Sequence, residues 1–232
     1  MKNTGNIWQG DRISHHVDWQ VHLASPADMP QVADLFLTSF GETITHLYGT
    51  NIPRKEALLE AVQDFFTFLH RETPRAFWVT HKRHEKGQKL CGYLVVSTDL
   101  ILLWKRAIWG GYLLRWAAKF LRGTYGFDFR ALGRILINKI SFWRASRFQP
   151  YRAQILSLAV AEHYRCQGLG RALLLKGIAY LRRQNSFRIK LEVRPWNKPA
   201  MHLYQSCGFS QAGVTRDTQG EWLIMIADTR VK

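Results

Sequence analysis

The chain is short of cysteine, short of acidic residues and without a long apolar run, and each shortage closes off a class of protein. Cys91, Cys166 and Cys207 are its only cysteines, scattered and without a Cys-x-x-Cys pair. Neither a disulfide framework nor a zinc site is expected, and a reducing cytoplasm is the expected compartment. The first residues, MKNTGNIWQGDRISHHVDW, lack the apolar centre of a signal peptide, and no stretch reaches about 18 uninterrupted apolar residues, so a conventional membrane span is not expected. His15 and His16 lie in polar sequence and read as a solvated tail, so no metal is expected there. Asp and Glu number 17 against 33 Lys and Arg, giving a net charge of +16. Such a field favours an acidic partner: nucleic acid, an anionic membrane surface, an acidic substrate or a phosphate-bearing small molecule.

What is present is enough for a folded domain. The 232 residues, 47% of them hydrophobic, suit a single domain over 1–232, with a core and one large insertion. The chain is organised around ILSLAVAEHYRCQGLGRALLL, Ile155 to Leu175. An apolar run of strand character, Ile155 to Ala161, passes into a polar loop with Gly168 and Gly170 and then into the helical pattern Ala172, Leu173, Leu174, Leu175. At such a junction the first N–H groups of the helix lack partners and point, with the positive end of the helix dipole, at the loop mouth. That is an anion site suited to a phosphate or pyrophosphate. Gly168 and Gly170 can take backbone angles closed to other residues and admit a bulky anion close to the main chain, and Arg165 and Arg171 add charge.

Two nucleotide-binding patterns fail at this loop. The string Gly-x-x-x-x-Gly-Lys-Ser/Thr does not occur, and the third glycine or alanine of a dinucleotide fingerprint is replaced by Leu173. The loop does satisfy Arg/Gln-x-x-Gly-x-Gly/Ala, through Arg165, Cys166, Gln167, Gly168, Leu169 and Gly170. With its strand and helix it resembles the coenzyme A pyrophosphate loop of the GNAT superfamily of N-acetyltransferases. Downstream, LEVRPWNKPAMHLYQSCGF, Leu191 to Phe209, is similar to that superfamily's Asn-x-x-Ala-x-x-Leu-Tyr-x-x-x-Gly-Phe block. The shared Leu-Glu-Val-Arg before the Asn is most similar to the bacterial ribosomal-protein N-terminal alanine acetyltransferases. The resemblance covers Ile155 to Phe209 and is weak before Ala153. It implies an α/β (α+β) acyltransferase fold: a central mixed, mostly antiparallel sheet flanked by helices.

The rest of the chain reads in an order that suits that fold. Gln20 to Ala24 reads as a strand, Ser25-Pro26-Ala27-Asp28 as a helix start, and a first helix runs to about Phe40. A second helix, Pro53 to Arg71, follows from the period of Ala57, Leu58, Ala61, Val62, Phe65, Phe66 and Leu69. Ala76 to Thr80 and Leu90 to Ser97 read as hairpin strands joined by a charged HKRHEKGQK turn region. Arg188 to Val193 is a further strand, Asn197-Lys198-Pro199 opens a short helix, Ala200 to Cys207, and 214–228 forms a last hairpin.

Asp99 to Arg152 departs from this plan. It holds eleven Lys or Arg against Asp99 and Asp128, a net +9, and four tryptophans: Trp104, Trp109, Trp116 and Trp143. Its apolar residues recur at helical spacing, which predicts amphipathic helices over 100–122 and 127–147, separated at Gly123-Thr124-Tyr125-Gly126. Two readings stand level: an interfacial anchor on an anionic membrane, and apolar faces packed on the domain or on a second copy of the chain. Nucleic acid stands behind both, because the apolar content exceeds what a phosphate-binding face needs.

The resemblance also implies roles. Acetyl-CoA would be the cosubstrate, with no metal, and the acceptor a primary amine: a protein amino terminus, an amino sugar or an amphiphilic amine. Leu158, Ala159 and Val160 would pair with the pantetheine arm and supply an N–H to the thioester oxygen. Cys166, Gln167, Gly168, Leu169, Gly170 and Arg171 would hold the pyrophosphate, and Asn197 would bind the coenzyme arm or cap its helix. Tyr204 would protonate the leaving thiolate, the alternative being a core tyrosine. Glu192 would accept the amine's proton, the alternative being a carboxylate paired with Arg194 or Arg188. Glu162 and His163 are weaker candidates for that task, and Glu42, Thr43 and His46 are candidate acceptor contacts or surface residues. Neither Cys166 nor Cys207 is placed to act as a nucleophile, which favours direct transfer in a ternary complex. The alternative from another class is a binding module that holds coenzyme A or nucleic acid without turnover.

Overall fold

The computed structural model describes residues 20–41, 53–84, 87–126, 151–217 and 220–230. The candidate acceptor residues Glu42, Thr43 and His46, the helix expected over 127–147 and the amino-terminal histidines lie outside the described residues. A seven-stranded sheet forms the centre: β1 (Val21–Leu23), β2 (Phe77–His84), β3 (Gly87–Ser97), β4 (Ala153–Val160), β5 (Arg188–Val193), β6 (Ser210–Asp217) and β7 (Gly220–Asp228). Their order across the sheet is β1-β2-β3-β4-β5-β7-β6. Every neighbouring pair is antiparallel except β4 with β5, so the sheet is mixed and mostly antiparallel, as expected.

Two cores lie on the two faces of this sheet. The helix α5 (Leu169–Arg183) covers one face with Leu169, Leu173, Leu174, Ile178 and Leu181, all 1% exposed or less. Burying each such side chain contributes about 1.5–3 kcal/mol, so packing more than helix propensity fixes α5. The short helix α6 (Lys198–Ser206) adds Tyr204, with Cys207 and Phe209 just beyond it, to the same core. On the other face α1 (Met29–Ser39) and α2 (Lys55–Glu72) bury Val32, Leu35, Phe66 and Leu69 against Phe77, Tyr93 and Val95.

Three boundaries differ from the sequence reading. The first hairpin is longer than expected, because His81 to His84 and Gly87 to Lys89 continue the ladder past a bulge at Thr80/His81. Strand pairing is a main-chain interaction, and polar side chains at an exposed edge do not oppose it. The last hairpin begins earlier, at Ser210. The helix expected over 100–122 is two helices, α3 (Leu100–Trp109) and α4 (Tyr112–Leu121), hinged at Gly110-Gly111. Gly111 has φ +72, a left-handed turn that costs other residues about 1–2 kcal/mol, and this breaks a run whose apolar period alone looks continuous.

Both ends of the excursion between β3 and β4 are tied together. Asp99 Oδ1 accepts from the N–H of Ile101 and of Leu102 as the cap of α3, while its Oδ2 takes Arg152 Nη1 at 3.0 Å. The segment 99–152 thus leaves and rejoins the sheet at one place. Among the described residues no helix is long and apolar enough to cross a membrane.

Candidate active site

β4 and β5 run parallel but share register only at Ala153/Ile189 and Gln154/Lys190. β4 remains paired with β3 as far as Val160, and β5 with β7 as far as Val193. Each strand is held by its outer neighbour, so beyond Gln154 the two diverge and a wedge opens between them. Leu158, Ala159 and Val160 form one wall. Their backbone has no register partner in β5, which is what an extended, amide-containing ligand needs for strand-like pairing.

The loop at the end of β4 is a cradle of main-chain N–H groups. After a short 3-10 turn, Glu162–Tyr164, the backbone enters the left-handed region at Cys166, φ +59, and again at Gly168, φ +81. Such alternation turns successive N–H groups inward, and Gly168 is the N-cap residue of α5, whose first N–H groups and dipole face the same hollow. Of the two glycines, Gly168 uses the freedom open to both, and Gly170 keeps ordinary helical angles. Its small size instead allows close packing, since a Cβ there would lie 3.2 Å from Leu203 Cδ2.

The polar side chains of the loop brace it. Arg165 Nε donates to the Val160 carbonyl at 3.1 Å, and Gln167 Nε2 to the His163 carbonyl at 3.0 Å. Arg171 Nη1 reaches the Ser206 carbonyl and hydroxyl at 3.2 and 3.1 Å, placing a cation at the negative end of α6. Glu162 and His163 are exposed on the 3-10 turn.

α6 places Tyr204 and Asn197. The Asn197 side chain accepts from the Ala200 N–H at 3.2 Å, so the cap is formed. Tyr204 is 9% exposed and tilted against Phe209, and burial pushes its phenol up to about 12. The ring therefore stays protonated across the working range of pH.

Glu192 lies on the opposite side of the sheet. Side chains alternate along a strand, and Leu191 and Val193 share the core that holds Tyr204, so Glu192 faces the other way. The partners foreseen for it, Arg194 and Arg188, are engaged elsewhere. Arg188 pairs with Asp228. Arg194 Nη1 and Nη2 meet Asp217 at 3.2 and 3.1 Å, with the guanidinium 3.8 Å from the Trp222 ring centre. That cluster pins the β6–β7 hairpin to the end of β5. Glu192 instead accepts from Lys190 Nζ at 3.0 Å. Lys190 escaped the sequence reading, although 190, 192 and 194 are a row of charges at strand spacing.

Burial pushes the Cys91 and Cys207 thiols up, away from the thiolate form a nucleophile needs. Cys166 is exposed on the loop. Among the described residues no group of three or more His, Cys, Asp or Glu side chains could hold a metal ion.

Comparison with known proteins bears on this geometry. The model of the Acetyltransferase (GNAT) family matches residues 38–209. The [ribosomal protein bS18]-alanine N-acetyltransferase of Escherichia coli strain K12 is 42% identical over 65 residues, which are 28% of this chain and 44% of that protein. The chain thus spans less than half the length of that curated relative. Ard1 from Thermoplasma volcanium superposes with a TM-score of 0.55 at 20% identity, covering 93% of this chain and all of that one. Salmonella typhimurium yncA, solved with its cofactor acetyl-CoA, gives a TM-score of 0.53 at 14% identity, covering 93% of this chain and 96% of that one. At such identities the two structures attest the fold alone.

Proposed function

The chain belongs to the acetyltransferase (GNAT) family, and on that premise we propose that it moves an acetyl group from acetyl-CoA directly onto a primary amine, the α-amino group of a protein being the first choice. One observation carries the reading: a wedge between two diverging strands leads to a cradle of N–H groups, with Tyr204 on one side of the sheet and Glu192 on the other.

The cradle from Cys166 to Arg171 fits a pyrophosphate, and the exposed β4 backbone fits the amides of a pantetheine arm. Acetyl-CoA supplies the thioester when bound. A main-chain N–H of Leu158, Ala159 or Val160 faces the thioester oxygen and stabilises its negative charge as the amine adds. A new C–N bond forms and the C–S bond breaks. Glu192, directly or through a water, takes the amine's proton, and the Tyr204 hydroxyl gives its own to the departing sulfur. Placing acid and base on opposite faces suits a transfer in which acceptor and coenzyme enter from opposite sides. Capping occupies the Asn197 side-chain oxygen, and its amide nitrogen would serve as a donor to the coenzyme arm. The unactivated Cys91 and Cys207 support a ternary complex over an acyl-enzyme.

Relatives named for acetylating the alanine terminus of ribosomal protein bS18 support a protein acceptor. We further propose that the segment 99–152, part of one domain spanning 1–232, holds the enzyme against an anionic membrane from the cytoplasmic side, where amphiphilic amines or amino sugars are rival acceptors. Self-association through the same segment is the competing use, and light scattering separates the two.

The test is release of coenzyme A thiol from acetyl-CoA in the presence of peptides with a free alanine terminus, matched blocked peptides, an amino sugar and a long-chain amine. Thiol release with free-terminus peptides only is expected. Tight acetyl-CoA binding with no release for any amine would make the protein a binding module.

A further inference from the structure

The helix α4 is folded inside out with respect to charge. Its inner face carries Tyr112, Trp116 and Lys119. Lys119 Nζ sits 2.6 Å from Asp64 Oδ2 and 3.0 Å from Glu60 Oε1 on α2, and the Tyr112 hydroxyl donates to Glu72 Oε1 at 3.0 Å. Trp116 packs edge-on to Phe68 at 5.5 Å. Its outer face carries Leu113, Leu114, Ala117 and Leu121, with Leu114 76% and Leu121 75% exposed. α3 repeats the pattern: Leu103 and Ala107 face in, while Ile101, Leu102, Ile108 and Trp109, the last 86% exposed, face out. Exposed Lys105 lies on the outward face of α3, one turn from both Ile101 and Trp109, exposed Arg115 and Arg122 edge that of α4, and 100–126 contains no acidic residue.

Seven large apolar side chains exposed on the outward side of two successive helices mark a contact. Charge selects the partner. The segment 127–150 carries five Lys or Arg against Asp128, so it brings the same sign to a rim that is already basic. A second copy would bring the same basic, acid-free surface against this one, so Lys105, Arg115 and Arg122 would find no opposite charge there. The outward Ile and Leu side chains offer nothing to a hydrogen-bonding partner. At ten residues each, α3 and α4 are about 15 Å long, half the thickness of a bilayer's hydrocarbon core, so they fit its surface plane and cannot span it.

We infer that the outward face of α3–α4 is a lipid-docking wedge for an anionic phospholipid surface. The aliphatic side chains enter the acyl boundary, Trp109 lies at headgroup level, and Lys105, Arg115 and Arg122 meet lipid phosphates. This rests on the membrane reading above and assigns the contact to α3–α4, not to the more distal basic stretch.

The test is co-sedimentation of the full chain at low salt with vesicles of phosphatidylcholine containing about a third phosphatidylglycerol, and with phosphatidylcholine alone. Three proteins are compared: wild type, Leu114→Glu/Leu121→Glu, and Lys105→Gln/Arg122→Gln. Both Leu positions are highly exposed, and unchanged calorimetric binding of acetyl-CoA checks that the variants fold. The expected result is binding to the anionic vesicles, weakened at least about tenfold by the Glu pair and about fivefold for each charge removed. Brominated lipid should quench the wild type more than Trp109→Phe. Equal binding of wild type and the Glu pair would move the contact elsewhere, overturning the assignment while the membrane reading stands. No binding of wild type to either vesicle would overturn both and would turn the search to an acidic protein partner.

Discussion

Lys190 Nζ lies 3.0 Å from Glu192 Oε1, two residues along the same strand, with side chains 2% and 8% exposed. A buried pair of this kind repays its desolvation poorly, yet removing one member strands the other. Lys190→Met should therefore lower stability by about 3–5 kcal/mol, and Lys190→Met/Glu192→Leu should recover much of it. Thermal denaturation of the two proteins checks this. A single variant as stable as wild type would show that the pair does not hold in solution.

Catalysis by Glu192 makes a separate demand. Glu192→Gln keeps size and a hydrogen-bond acceptor but cannot take up a proton. Turnover should fall about 10²–10⁴-fold while acetyl-CoA affinity stays within a few-fold. Unchanged kcat would pass the proton to another acceptor.

Tyr204→Phe should lower kcat by a similar factor, and a thioester with a more acidic leaving thiol should recover part of the loss, because it needs the proton less. With the phenol pushed up to about 12, no alkaline fall in rate below about pH 10 should come from Tyr204 itself. A raised tyrosine contributes stability below its unfolded value of about 10, lost as the pH climbs through the folded one. A rate limb near pH 9 that vanishes in Tyr204→Phe would contradict the burial seen here.

Gly168→Glu places a side chain and a negative charge in the cradle and forces a left-handed backbone on a residue that resists it. Calorimetric titration should show acetyl-CoA binding lost. Gly168→Ala, which carries the backbone cost without the charge, should keep binding in weakened form. Equal affinity for wild type and Gly168→Glu would remove this loop from the coenzyme site.

His81 offers a pH test away from the site. Its Nε2 is 2.9 Å from Asp28 Oδ1 and its Nδ1 is 3.2 Å from His22 Nε2. Burial lowers its pKa most, His22 lowers it further, and Asp28 opposes both. A histidine lowered on folding contributes stability that is present above its unfolded value of about 6.5 and lost as the pH falls through the folded one. Melting temperature should drop between pH 7.5 and 5, and His81→Gln should show less of that drop. Parallel curves would mean other groups carry the acid sensitivity.

Much of the fold could be read from residues close together in the chain. The strand, loop and helix from Ile155 to Leu175, the capped start at Asn197 and the period of α2 are all local patterns, and each appears where the pattern puts it. So is the motif that carries family membership. The sequence by itself determined a basic chain of α/β class with a strand, glycine loop and helix in series, a tyrosine and a glutamate in motif positions, and a charged apolar insertion. Tertiary structure decided the rest, because those facts depend on residues far apart. Glu192 pairs with Lys190 while Arg194 is held by Asp217 and Trp222, from a hairpin more than twenty residues away. Cys166 takes a left-handed angle in a turn where Arg165 also reaches back to the Val160 carbonyl, a conformation that residue type does not announce. The split follows from the left-handed backbone at Gly111, while the inward turn of the Lys119 face of α4 follows from acids on α2, and helical periodicity reports which residues share a face without saying which face turns inward.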